Sequence, residues 1–214
     1  MRPFKRSGLE PGVTTLMLRR LPEDWGALSV LDWLQQNKIK LRQIDFLYVP
    51  FDKHTNTNIE LAFINFVDSA TAKQVYKLVV KHNKELIWDV VVSAGNVQGF
   101  EWNLAYFLIR FGPRATWGED APLIFRNGAQ LRDREEIAQA YADIPSHVLD
   151  EAARFVRAET AGSPPRGTRR RAQRPTWRLS AETMSIEQFQ VDGSEDELLS
   201  IIRSVDNGAW VFSL

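Results

Sequence analysis

The hydrophobic pattern of residues 14–93 switches between a period of two and a period near 3.6, and the order of the switches leaves few folds open. Thr14 to Leu21 (TTLMLRRL) is short, β-branched at its start and bounded by Gly12 and Pro22, which predicts a strand. Leu28, Leu31 and Leu34 then recur at helical spacing within DWGALSVLDWLQQN, with Asp24 placed to cap the helix. Ile44 to Val49 (IDFLYV) reads as a second strand ending at Pro50. The polar stretch DKHTNTN turns the chain into Ile59 to Phe66, a third strand joined to the second by a hairpin with a long tip. Ser69 to Lys81 sets Ala72, Val75, Tyr76 and Val79 on one helical face, and Trp88 to Ser93 (WDVVVS) supplies a fourth strand.

Strand, helix, strand, strand, helix, strand is the split βαβ order. It predicts an α+β fold of the ferredoxin-like βαββαβ kind: a four-stranded antiparallel sheet with two helices on one face and the other face open. A chain of 214 residues can bury one good core and still carry appendages. Further apolar segments follow. Gly99 to Phe111 (GFEWNLAYFLIRF) has helical length, Pro122 to Phe125 is a short apolar run before the turn signal Asn127-Gly128, and Leu131 to Tyr141 and Ser146 to Glu159 read as helices separated by Pro145. In the last of these Ser146 can cap while Leu149, Ala152, Ala153 and Val156 share a face.

Two stretches carry a family resemblance. Leu16 to Leu21 (LMLRRL) falls on the hexamer, and Ile59 to Phe66 (IELAFINF) on the octamer, that mark the first and third strands of RNA recognition motif (RRM) domains. TTLMLRRLP, IDFLYVPFDKHTNTNIELAFINFVD and NVQGFEWNLAYFLIRFGPRATWGEDAPLIFRNG resemble the C-terminal RRM of the Mei-two-like family of meiosis and development regulators. The resemblance covers residues 13–130. It implies an RRM sandwich extended by a helix after the fourth strand and by a segment ending in a Pro-Leu-hydrophobic-Phe turn, and a role in post-transcriptional regulation. Residues 1–12 are then an N-terminal arm, 131–162 a helical extension, 163–178 an Arg-rich linker and 179–214 an acidic tail.

Strand alternation predicts that Ala62, Ile64 and Phe66 face the helices while Ile59, Leu61 and Phe63 face the open side. An RRM stacks bases on that side, on aromatic side chains at the third and fifth octamer positions and the second hexamer position. Here these positions are Leu61, Phe63 and Met17, so Phe63 alone is aromatic. The octamer usually opens with a basic residue and Gly, where this chain has Ile59 and Glu60. Arg19 joins Met17 on the open face, with Arg20 at its edge to meet phosphate. Tyr48 either supplies a replacement ring on the same face or packs under the loop. Phe63 has two readings as well: a base-stacking platform, or an apolar residue covered by the chain's own third helix.

Net charge is zero, but it is unevenly spread. Residues 163–178 hold six Arg and no acid, and 179–214 hold seven acids against Arg203 alone. Arg166, Arg169, Arg170, Arg171, Arg174 and Arg178 can neutralise phosphates or serve nuclear import, or can pair with the acidic tail as an autoinhibitory contact. Cysteine is absent, which excludes disulfides and thiolate chemistry. His54, His82 and His147 lack metal-ligand spacing, and neither a phosphate-binding loop nor a dinucleotide fingerprint is present. The expectation is a non-enzymatic, cofactor-free and metal-free protein, soluble in nucleus or cytoplasm without membrane contact. It binds single-stranded RNA on the open sheet. The alternatives are a protein-interaction RRM whose sheet face takes a peptide or its own third helix, with the acidic tail as another contact, and a scaffold subunit of a ribonucleoprotein.

Overall fold

The computed structural model describes residues 8–52, 55, 57–85 and 89–161. It is an α+β structure built on an antiparallel sheet. The strands are β1 (Thr15–Arg19), β2 (Ile44–Tyr48), β3 (Phe51–Asp52), β4 (Thr57–Asn58), β5 (Leu61–Phe66), β6 (Val91–Ala94), β7 (Leu123–Arg126) and β8 (Ala129–Gln130). The helices are α1 (Ala27–Gln36), α2 (Ser69–Lys84), α3 (Phe100–Phe111), α4 (Arg134–Ala142) and α5 (Ser146–Ala161). Six strands form one sheet in the order β6-β1-β5-β2-β7-β8, and β3 and β4 pair separately as a small hairpin.

Side-chain alternation sorts the sheet into two faces. Leu16 and Leu18 of β1, Leu47 of β2, and Ala62, Ile64 and Phe66 of β5 pack in one core with Val30, Leu31 and Leu34 of α1 and with Ala72, Val75 and Val79 of α2. Burying a Val, Leu, Ile or Phe side chain in this way contributes about 1.5–3 kcal/mol. Asp68 starts α2 firmly: its carboxylate accepts from the Thr71 amide at 2.7 Å and from the Thr71 hydroxyl at 3.0 Å.

A second core lies on the opposite face. Phe46 and Tyr48 of β2 and Ile124 of β7 meet Leu104, Ala105, Phe107 and Leu108 of α3, and behind them Ala140, Tyr141, Leu149 and Ala152 of α4 and α5. Helix α3 is framed by two glycines in left-handed backbone, Gly99 at φ 89° and Gly112 at φ 78°. The run after it does more than turn. β7 extends the sheet beyond β2, and Asn127-Gly128, at φ 55° and 86°, closes a β7–β8 hairpin.

Several expectations need correction. Asp24 does not cap α1: Trp25 closes a turn on the Pro22 carbonyl at 2.9 Å, so the helix starts at Ala27 with Gly26 as its uncapped N-terminus. Leu28 consequently lies outside the buried face, 65% exposed. The third strand starts at Leu61 instead of Ile59, because Glu60 adopts left-handed backbone at φ 61°. The fourth strand starts at Val91, two residues after the described Asp89, and Trp88 lies outside the described residues. The helix expected from Leu131 starts at Arg134, where the Asp133 carboxylate caps the Glu135 amide at 2.7 Å.

Candidate nucleic-acid interface

The sheet face opposite α1 and α2 is laid out in rows by the strand register. Ser93, Met17, Phe63 and Tyr48 stand side by side across β6, β1, β5 and β2. The next row holds Val91, Arg19 and Leu61, and the row on the other side holds Thr15, Asn65 and Phe46. Directly opposed residues share a face, so these rows form one surface.

Helix α3 covers part of it. Tyr48 is only 6% exposed; its ring stacks beside Phe63, with centroids 6.5 Å apart, and meets Phe107 edge-on at 4.9 Å and Phe111 at 6.0 Å. Burial, with Asp120 and Tyr106 nearby, pushes the Tyr48 phenol far above its ordinary pKa. Tyr48 thus belongs to the face but lies beneath the helix, where its ring is covered by protein.

α3 is itself clasped from behind. Trp102 and Tyr106 both present their rings edge-on to Phe155 of α5, at 5.5 and 6.0 Å. The Tyr106 hydroxyl donates to Glu159 at 3.0 Å, and the Trp102 indole donates to Glu151 at 3.4 Å. Burial and the Glu159 carboxylate push the Tyr106 phenol up to about 12. Residues 131–161, read from sequence as an appended extension, therefore form the outer wall of the helix that covers the sheet.

Polar side chains pin the start of α3 to the sheet. The Thr15 hydroxyl donates to Asn65 Oδ1 at 2.7 Å and accepts from Asn103 Nδ2 at 3.0 Å and from the Gly99 amide at 3.2 Å. Asn65 Nδ2 donates onward to Asp45 Oδ1 at 2.7 Å. Gln98 accepts the Thr14 and Thr15 amides and donates to the Thr15 and Gly95 carbonyls. Burial raises the Asp45 carboxyl to about 6, partly offset by the Asn65 bond. Sequence reasoning missed this network. Its one signal in the sequence is Asn65, a polar residue inside an otherwise apolar strand.

A strip beside α3 keeps partial exposure: Met17, Arg19, Leu61, Phe63, Val91 and Ser93 are all half-buried, and Phe63 also packs against the core that α3 forms on the sheet. Arg19 stands between Leu61 and Val91, and its Nε is buried with no hydrogen-bond partner among the described residues. A buried donor left unmade costs about 1–3 kcal/mol, so an acceptor that allowed this side chain to turn outward would be favoured. Arg20 behaves differently. It leaves the strand at φ 59° and pairs with Asp89 at 2.8 Å, with both side chains largely exposed.

Ile59 stands apart from the strip. Its amide bonds the Pro50 carbonyl in the loop that enters β5, and the turn after it is set by Asn58, whose side chain donates to the Pro22 and Trp25 carbonyls while its Oδ1 accepts the Glu60 amide. Glu60 itself takes left-handed backbone at φ 61°, a conformation that suits glycine. Arg166, Arg169, Arg170, Arg171, Arg174, Arg178 and the acidic tail lie outside the described residues, as does His54. Among the described residues no group of His, Asp and Glu side chains could hold a metal ion, and no helix is long and apolar enough to cross a membrane. No protein-family model matches the chain, and no curated protein matches it at significant similarity.

Proposed function

We propose that this protein is a non-catalytic module of the RRM type, resembling the Mei-two-like C-terminal RRM, that binds single-stranded RNA on the half-buried strip of sheet beside α3. The strand order β6-β1-β5-β2, with α1 and α2 on one face, agrees with a ferredoxin-like βαββαβ core. The observation that carries the functional reading is the juxtaposition of Phe63 and Met17 in one row with Arg19 and Leu61 in the next, all half-buried and facing the same side. Phe63 stacks one base, Met17 and Leu61 extend the apolar contact, and Arg19 meets a phosphate or a base edge. Tyr48 is taken up by α3, so the platform is narrower than a full RRM face.

Arg20 is an auxiliary contact. An exposed ion pair is worth about 0–1 kcal/mol, so a phosphate competes readily with Asp89 for its guanidinium. The Arg-rich linker adds a salt-dependent, sequence-independent attraction. A protein-interaction reading draws on a different observation: the most aromatic part of the face, around Tyr48, is already filled by α3.

The test is fluorescence anisotropy of the full chain with short labelled single-stranded RNAs across a salt series. Phe63→Ala is expected to weaken binding by about 1–3 kcal/mol, the worth of one stacked base, and Arg19→Ala to weaken it while flattening the salt dependence. Tyr48→Phe keeps the buried ring and leaves affinity unchanged. Binding that survives both Phe63→Ala and Arg19→Ala but disappears when the linker arginines are neutralised would move the RNA contact off the sheet. Absence of binding in every case would leave the protein-interaction reading.

A further inference from the structure

The face of α2 turned away from the core carries a feature that the proposed RNA site does not use. Ala70, Lys73, Gln74, Lys77, Leu78 and Lys81 line a shallow groove of about 380 Å³ along one side of the helix. Lys73, Lys77 and Lys81 follow one another at a spacing of four, which at 1.5 Å per residue sets an ammonium roughly every 6 Å. Between them Ala70 and Leu78, with the lysine stems, give the groove an apolar floor. Lys81 reaches Glu85 at 3.6 Å, an exposed pair of little worth. Lys73 and Lys77 have no ion-pair partner among the described residues.

We infer that the acidic C-terminal segment of this same chain, residues 195–205, docks along this lysine-lined groove of α2. Charge complementarity is the first argument: residues 179–214 carry seven acids and one Arg, and Glu195, Asp196 and Glu197 are consecutive. Pattern is the second. Leu198, Leu199, Ile202 and Val205 recur at the spacing of one helical face, so the segment couples an apolar stripe to an acidic end, the counterpart of an apolar floor flanked by lysines. Reach is the third. Thirty-three residues, 162–194, separate the end of α5 from Glu195. A chain of that length can reach at most roughly 110 Å. That exceeds the diameter of a domain this size, whose radius of gyration is roughly 15 Å. The groove lies on the side of the sheet away from Met17 and Arg19, so the docked segment leaves the RNA strip open and shields a basic face from non-specific polyanions.

The absence of cysteine gives a direct test. A nitroxide attached to Ser200→Cys in the full chain is expected to broaden the amide signals of residues 70–81 selectively, and at low protein concentration. The effect is expected to vanish in Lys73→Glu/Lys77→Glu, whose exposed positions leave the fold intact, and to weaken in about 1 M salt, where the Debye length is about 3 Å. Three results would overturn the inference. One is no broadening on α2. The second is broadening seen only when labelled chains are mixed with isotope-enriched unlabelled ones, which makes a second copy the occupant. The third is a label without effect on α2 while added single-stranded RNA shifts the 70–81 amides, which makes the groove a nucleic-acid surface.

Discussion

The Phe107 ring of α3 stands edge-on to the Tyr48 ring of β2, with centroids 4.9 Å apart and planes at 77°. This contact joins the covering helix to the sheet in the row that also holds Phe63 and Met17. Phe107 is 3% exposed, so its truncation removes a full core side chain.

Phe107→Ala is therefore expected to cost about 3–5 kcal/mol of stability, the usual range for a buried aromatic. It should also expose Tyr48. Burial holds that phenol above its ordinary pKa, so losing the cover lets it ionise at lower pH than in the unaltered protein. Urea denaturation reads the first effect, and tyrosinate absorbance, compared with Phe107→Ala/Tyr48→Phe to identify the residue, reads the second. An unchanged titration would show that Phe107 is not the cover.

Asp45 gives a prediction in pH. Its carboxyl rises on folding from 3.8 to about 6, chiefly through burial. A raised pKa favours the protonated form on folding, so the contribution is fully present below about pH 3.8 and is lost as pH rises through 6. At pH 7 the folded protein carries an ionised, partly buried carboxylate. A rise of that size corresponds to about 3 kcal/mol, or about 2 kcal/mol after allowance for partial exposure. Asp45→Asn keeps an acceptor for Asn65 and is expected to stabilise by that amount at pH 7 and by almost nothing near pH 4. Denaturation midpoints of the two proteins that differ equally at both pH values would contradict it.

Glu60 separates strain from charge. Left-handed backbone costs a non-glycine residue about 1–2 kcal/mol, while glycine gives back about 0.4–1 kcal/mol through the freedom of its unfolded chain. Glu60→Gly should thus stabilise by roughly 0.5–1 kcal/mol, whereas Glu60→Ala, which keeps the strain, should not. Both remove a carboxylate next to Leu61, so both are expected to raise RNA affinity at low salt. Thermal melts and anisotropy titrations of the pair distinguish the two effects; equal melting of Gly and Ala variants would refute the strain account.

The core side of the third strand was legible from a period of two: Ala62, Ile64 and Phe66 fall in the core shared with α1 and α2, where the structure also puts Leu47 and Val49. Features that depend on distant partners were not legible. Asp24 had the composition of a cap, yet the Pro22 turn claimed that stretch first. Alternation put Ile59 on the strand because it carries no information about the left-handed Glu60. Alternation left Tyr48 with two readings, because Phe46, Leu47, Tyr48 and Val49 are apolar on both faces of the strand; pairing with Phe63 puts it on the face. That it is buried follows from α3, whose docking is set by contacts with α4 and α5 far along the chain.

The Thr15 hydroxyl is the point where that docking is most exposed to test. It makes three hydrogen bonds, to Asn65, Asn103 and the Gly99 amide, and so ties β1 to β5 and to the first turn of α3. Thr15→Val preserves shape and removes all three. Asn103 Nδ2 keeps the Gly99 carbonyl at 2.7 Å, but the Gly99 amide loses its bond and Asn65 Oδ1 loses its donor in a buried site. An unmade buried bond costs about 1–3 kcal/mol, and Thr15→Val is expected to destabilise within that range. Thr15→Ser, which keeps the hydroxyl, should recover most of the loss. Hydrogen exchange adds a local readout: the Gly99 amide should lose protection in Thr15→Val and regain it in Thr15→Ser. Equal protection in both variants would show that α3 is held by its aromatic contacts alone.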